Sequence, residues 1–158
     1  MMADTTNIGH KEVSFSEAIV DGLYAGVLAG LAMAAVLALT ALLRGEMLGV
    51  LFTRFDPTPA AAPLKGFLLH LAVSGVYGIL FGLVWFLVSS PPRTALSSWR
   101  AVLLGAAYAL GLFLLGWTIL LPASGSPLRG LPWWDFGLAH LVYGALLGYL
   151  VYRRSMES

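Results

Sequence analysis

The chain has 158 residues, 59% of them hydrophobic and 11% charged, with a mean hydropathy of +0.84. A soluble domain carries charge on about a quarter of its residues, so a chain this apolar must turn most of its surface to lipid. Nine Lys and Arg against eight Asp and Glu leave a formal charge of +1. That balance excludes the clustered basic face of a nucleic-acid binder. The absence of cysteine excludes disulfides, thiolate catalysis and cysteine-ligated metal centres.

A helix needs roughly 20 mainly apolar residues to cross a hydrocarbon layer about 30 Å thick. Four stretches qualify, which predicts an all-α, polytopic membrane protein of four transmembrane helices in one membrane domain covering residues 1–158. The first span runs over 18–43 and ends at Arg44-Gly45-Glu46. Ser14 and Glu17 ahead of it have the S-x-x-E spacing of a capping box. Its apolar run is too long for a signal-peptide core, and Asp4, Glu12, Glu17 and Asp21 accompany it, so it is expected to be retained. Residues 1–13 are polar and are expected to fray. The segment MLGVLFTRF, residues 47–55, is too short to cross and too apolar for a free loop, which predicts a short interfacial or re-entrant helix.

The second span, 64–88, follows Pro57, Pro59 and Pro63 and stops at Ser89-Ser90-Pro91-Pro92. The third, 101–121, closes at Pro122, and the fourth, 133–152, opens after Pro132 and ends at Arg153-Arg154. Trp85, Trp99, Trp133, Trp134 and Tyr152 fall near span ends, where amphipathic rings favour the headgroup layer. Lys11, Arg93, Arg100, Arg153 and Arg154 fall on one side of the membrane, and Arg44, Arg54, Lys65 and Arg129 on the other. Five against four leans toward cytoplasmic termini.

The second and fourth spans share H-L and V-Y-G-x-L-x-G, at His70-Leu71 with Val76 to Gly82 and at His140-Leu141 with Val142 to Gly148. The four extra residues in the second are about one helical turn, which keeps the histidine on nearly the same face. Tyr24 and Tyr108 give the first and third spans a looser likeness. The pattern reads as a duplicated two-helix hairpin, its halves related by an axis along the membrane normal; chance likeness between apolar helices is the alternative. Small residues recur at every fourth position as Gly22/Gly26/Gly30, Ser74/Gly78/Gly82 and Gly144/Gly148. Such stripes let helices approach closely, either within the monomer or, for the first helix, between two copies.

His70 and His140 each continue a small-residue stripe from the same side of the membrane, so each is expected to face a packed helix. Three readings compete for the pair. Each neutral imidazole can bond a neighbouring helix and specify packing. The two can ligate a b-type haem between the second and fourth helices, with Lys65 and Arg129 near its propionates. Or they line a proton or quinone site with Asp135 and Tyr143 close to His140. Zinc would need three or four ligands, which two histidines do not supply, so no metal is expected. Asp21 and Asp135 stand near helix starts, where the dipole favours a carboxylate.

No phosphate loop, nucleophile elbow or H-E-x-x-H motif is present, and Ser74 beside His70 has no acid to orient a base. No proline within a span and no mid-bilayer charge is foreseen, which disfavours a transporter. The segment His140 to Tyr152 (HLVYGALLGYLVY) resembles the last helix of several small bacterial four-helix membrane-protein families. The run from Asp21-Gly22 to Met33 looks like their first helix. The resemblance implies that architecture and a bacterial inner membrane, and no activity. The leading expectation is a non-enzymatic accessory or assembly subunit without cofactor, packed in the lipid bilayer against other membrane subunits or itself. A small b-type cytochrome or quinone-associated redox protein using His70 and His140, and a small channel or permease, are the alternatives.

Overall fold

The computed structural model describes residues 14–88 and 97–157. The polar N-terminal segment, the Ser89-Ser90-Pro91-Pro92 stop, Lys11 and Arg93 lie outside the described residues. All regular structure among the described residues is helical: α1 (Phe15–Leu43), α2 (Leu48–Thr53), α3 (Pro63–Val88), α4 (Ser98–Leu115), α5 (Leu121–Ser124) and α6 (Trp133–Glu157). A π-helical stretch, Gly116–Leu120, joins α4 to α5, and a 3-10 turn, Pro127–Gly130, precedes α6. Among the described residues four stretches are long and apolar enough to cross a membrane: α1, α3, the continuous run Ser98–Ser124, and α6.

The capping box forms as read. Ser14 Oγ accepts from the Glu17 N–H, and the Glu17 carboxylate accepts from the Ser14 N–H at 2.7 Å. The third span differs from the reading, because it does not close at Pro122: the helical path continues to Ser124 and stops at Gly125, whose φ is +61°. Proline lacks an N–H and crowds the carbonyl four residues back. The chain absorbs both by widening, so that the Leu121 N–H donates to Gly116 O, five residues behind it. A proline therefore lies inside a span after all.

Close packing in the bundle is made by small residues. Along α1, Gly22, Gly26 and Gly30 meet Ser74, Gly78 and Gly82 of α3 so tightly that a methyl group at Gly26 would lie 2.6 Å from Ser74 O and 2.7 Å from Gly78 Cα. The stripe considered for dimerisation through the first helix is thus occupied within the chain. Gly144 and Gly148 of α6 close in the same way on Ala101, Gly105 and Ala109 of α4. Helices α1 and α6 pack together as well, and an ion pair joins them at each end, Asp21 with Arg154 and Arg44 with Asp135. The Arg154 guanidinium also lies over the Tyr24 ring, 4.8 Å from its centre. Leu37, Phe81 and Leu147 fill the interior. Six residues are too few for α2 to cross; it lies against α3 with Leu51 buried, the Phe52 ring 5.2 Å from Phe67, and the Phe52 carbonyl against Gly66.

A side chain at Gly26 must push α1 from α3, and overpacking of this kind costs about 1–3 kcal/mol. Gly26→Val is expected to lose about that much in unfolding titrations from mixed detergent micelles. Gly111→Ala, where nothing lies within 4 Å of the new methyl group, is expected to keep or slightly raise stability. Equal losses at the two positions would contradict the packing described.

Candidate functional site

Helices α3 and α4 are not drawn together by a glycine face. Their link is a hydrogen bond from Tyr108 Oη to Tyr77 O, 2.8 Å, with the Phe81 and Tyr108 rings 5.2 Å apart. Further along, between α3 and the π-helical stretch, a cavity of about 220 Å³ remains. His70, Ser74 and Tyr77 of α3 line it together with Phe136, His140 and Tyr143 of α6. Met33, Phe55, Leu112 and Gly116 contribute from other elements. Leu69, Val73 and Leu120 line it too while remaining exposed, so the cavity reaches the lipid-facing surface of the bundle.

His70 follows Pro63 and His140 follows Trp133 by seven residues in their respective helices, which places both about 10 Å inside the helix starts. His70 is buried and its Nε2 meets Gly30 O of α1 at 3.0 Å. His140 keeps its Nδ1 on Phe136 O of its own helix, 2.8 Å away. Tyr143 Oη donates to Ser74 O at 2.8 Å, and Ser74 Oγ donates to His70 O at 2.8 Å. Phe55 stands 5.0 Å from the His70 ring and Phe136 4.4 Å from the His140 ring, measured between ring centres. Of the four residues singled out in sequence, His70, His140 and Tyr143 meet at this cavity. Asp135 does not, because its carboxylate is taken by Arg44.

Sequence reading passed over Phe55, Tyr77, Phe136 and Gly116. Phe136 precedes His140 by one helical turn, a spacing that could have flagged it. Gly105 was missed as the partner of Gly144 and Gly148, although Ala101, Gly105 and Ala109 repeat at the same four-residue interval.

A cavity of about 150 Å³ holds a benzene, so about 220 Å³ offers room for one substituted ring. The Nε2 of His70, the less crowded ring nitrogen, is committed to α1. Among the described residues no three His, Asp or Glu side chains gather as metal ligands.

Phe55 reaches His70 because the loop after α2 is held in place. Asp56 is buried; its Oδ1 accepts from the Thr58 N–H (3.1 Å) and Thr58 Oγ1 (2.8 Å), and its Oδ2 from the Ala62 N–H (3.0 Å). Lys65 Nζ lies 3.3 Å away. At the same end of the bundle Arg54 pairs with Glu46 at 2.6 Å, and Glu46 lies 3.6 Å from Arg44.

The fold is that of a four-helix, multi-pass membrane protein, with a mainly apolar cavity lined at a few points by His70, His140, Tyr77 and Tyr143. Comparison with protein-family models, with curated proteins and with solved structures finds no match. The likeness of its first and last helices to small bacterial membrane proteins therefore supports no family assignment.

Burial acts to raise the Asp56 pKa, but hydrogen bonds from Thr58, Ala62 and Lys65 outweigh it and hold the group at about 2, below its ordinary 3.8. A depressed carboxylate stabilises the fold above its unfolded pKa and loses that contribution as pH falls through the folded one. The protection of amides in residues 56–62, relative to their intrinsic exchange, is accordingly expected to fall between about pH 4 and pH 2 in the wild type. Asp56→Asn should lower it already at neutral pH and remove that acid step. A wild-type loop whose exchange follows only intrinsic chemistry across this range would contradict the assignment.

Proposed function

We propose that this chain is a non-enzymatic integral membrane protein that holds one small lipophilic molecule in the cavity between α3 and the π-helical stretch. The observation that carries the reading is the convergence of two histidines and two tyrosines on one apolar cavity that reaches the lipid face. An apolar pocket with a few convergent polar groups is the first candidate for a binding site. A π-helical stretch, common at functional positions, forms part of its wall. The five-to-four bias of its basic residues favours cytoplasmic termini. We also read it as two like hairpins, since α1 with α3 and α4 with α6 both close on glycine faces.

An accessory or assembly subunit is the second reading, and α4 favours it. Leu103, Leu110, Leu114, Leu115 and Ile119 are exposed along the run from α4 into the π-helical stretch, and Gly111 offers a notch that no described residue fills. Small residues of that kind accept a neighbouring helix in a bilayer. A channel through one copy has less support, because Leu37, Phe81 and Leu147 fill the centre.

Gly116 lines the cavity, and nothing lies within 4 Å of a Cβ built there. Gly116→Phe is therefore expected to fill the cavity while leaving thermal stability unchanged or higher. Organic extraction of protein purified in mild detergent, followed by mass spectrometry, should recover a lipophilic molecule from the wild type and not from the variant. Identical extracts from two equally stable proteins would sink the proposal.

A further inference from the structure

The partners of the two histidines fix which hydrogen-bonding role each has left. A backbone carbonyl only accepts, so the ring nitrogen facing it must carry the proton. Nε2 of His70 donates to Gly30 O, and Nδ1 of His140 donates to Phe136 O. Inside an apolar bundle the neutral form is favoured, and a neutral imidazole protonated at one nitrogen offers a lone pair at the other. Nδ1 of His70 and Nε2 of His140 are then both acceptors, and neither has a hydrogen-bond partner among the described residues.

The donors at the same cavity are mostly spent. Tyr143 gives its proton to Ser74 O, and Ser74 gives its proton to His70 O. Tyr77 adds one hydroxyl that can work either way. The polar balance of the cavity therefore favours a guest that donates hydrogen bonds over one that only accepts them.

Size and wall chemistry narrow the guest further. About 220 Å³ suits a single substituted ring. Phe55 beside His70 and Phe136 beside His140 supply aromatic walls, which favour offset or edge-on contact with another ring. The exposed rim at Leu69, Val73 and Leu120 leaves an apolar tail a route into lipid.

Resting on the cavity reading above, we infer that the guest is a lipophilic phenol or hydroquinone whose ring hydroxyl donates to His70 Nδ1 or His140 Nε2. The corresponding quinone, which has only acceptors, is discriminated against, and so is a ring whose hydroxyls are methylated. The site thus separates the reduced from the oxidised form of one ring by hydrogen-bond polarity alone, with no electron transfer required of the protein.

The test uses proteoliposomes of the full chain, with protein-free vesicles of the same lipid as the partition blank. Equilibrium binding is measured for decyl-hydroquinone kept reduced, for its dimethyl ether and for decyl-quinone. The hydroquinone is expected to bind about tenfold or more tightly than either of the others. Gly116→Phe should abolish its specific binding, and His140→Phe should lower its affinity toward that of the ether. Equal binding of all three ring forms, still abolished by Gly116→Phe, would overturn the donor inference and leave the cavity reading standing. No specific binding of any of them would overturn both. Binding of the hydroquinone that survives both His140→Phe and His70→Phe, in variants that keep their helical circular dichroism, would show that the histidines serve packing only and would likewise overturn the inference.

Discussion

Asp21 and Asp135 each stand near the start of a helix, and each meets the arginine that closes the other one. Asp21 of α1 pairs with Arg154 at the end of α6, and Asp135 of α6 pairs with Arg44 at the end of α1. The antiparallel arrangement puts a carboxylate toward each positive helix end and a guanidinium toward each negative end; Asp135 and Arg154 lie in the first and last turns of α6, where the dipole also favours them. Both pairs lie near helix ends, at opposite ends of the α1–α6 contact, where charged side chains can remain near the headgroups. The two helices are thereby fixed in register and held together along their length.

What α1 does with its remaining face decides the shape of the rest. Its glycines admit α3 to backbone contact, so α1 is packed on two sides. α4 has one glycine-based attachment, to α6. Between α3 and α4 no such closure exists, and the tyrosine hydrogen bond at Tyr77 spans them. Interhelical bonds of this sort are worth about 0.6 kcal/mol on average in a bilayer, enough to orient helices and not enough to squeeze out a gap. The turn widened ahead of Pro122 lies on this loosely joined side, and the cavity occupies the space left there. Polar groups gather where packing is incomplete.

Much of this was legible in the residues. Apolar run length marked all four crossing helices, and the S-x-x-E spacing marked the α1 start. Four-residue intervals of small residues marked the faces that touch, and the stripe each histidine extends marked it as inward-facing. Partners were harder to read than faces. Periodicity places Asp135 at a helix start but is silent on Arg44, more than ninety residues away in sequence. A proline normally ends a helix, and nothing local announces that Gly116 and its neighbours will widen to carry the chain past Pro122. The cavity was the least legible feature, because it depends on which two helices fail to meet, and that follows from long-range pairing.

The most direct test is photolabelling in proteoliposomes with an alkylphenol bearing a diazirine on its tail, with adducts mapped by mass spectrometry. The account predicts labelling concentrated on the cavity wall and rim, within residues 69–77 of α3 and 112–121 of α4 and the π-helical stretch, and loss of that labelling in Gly116→Phe. Adducts spread evenly over the lipid-facing residues of α1, α3, α4 and α6, unchanged in the variant, would contradict it.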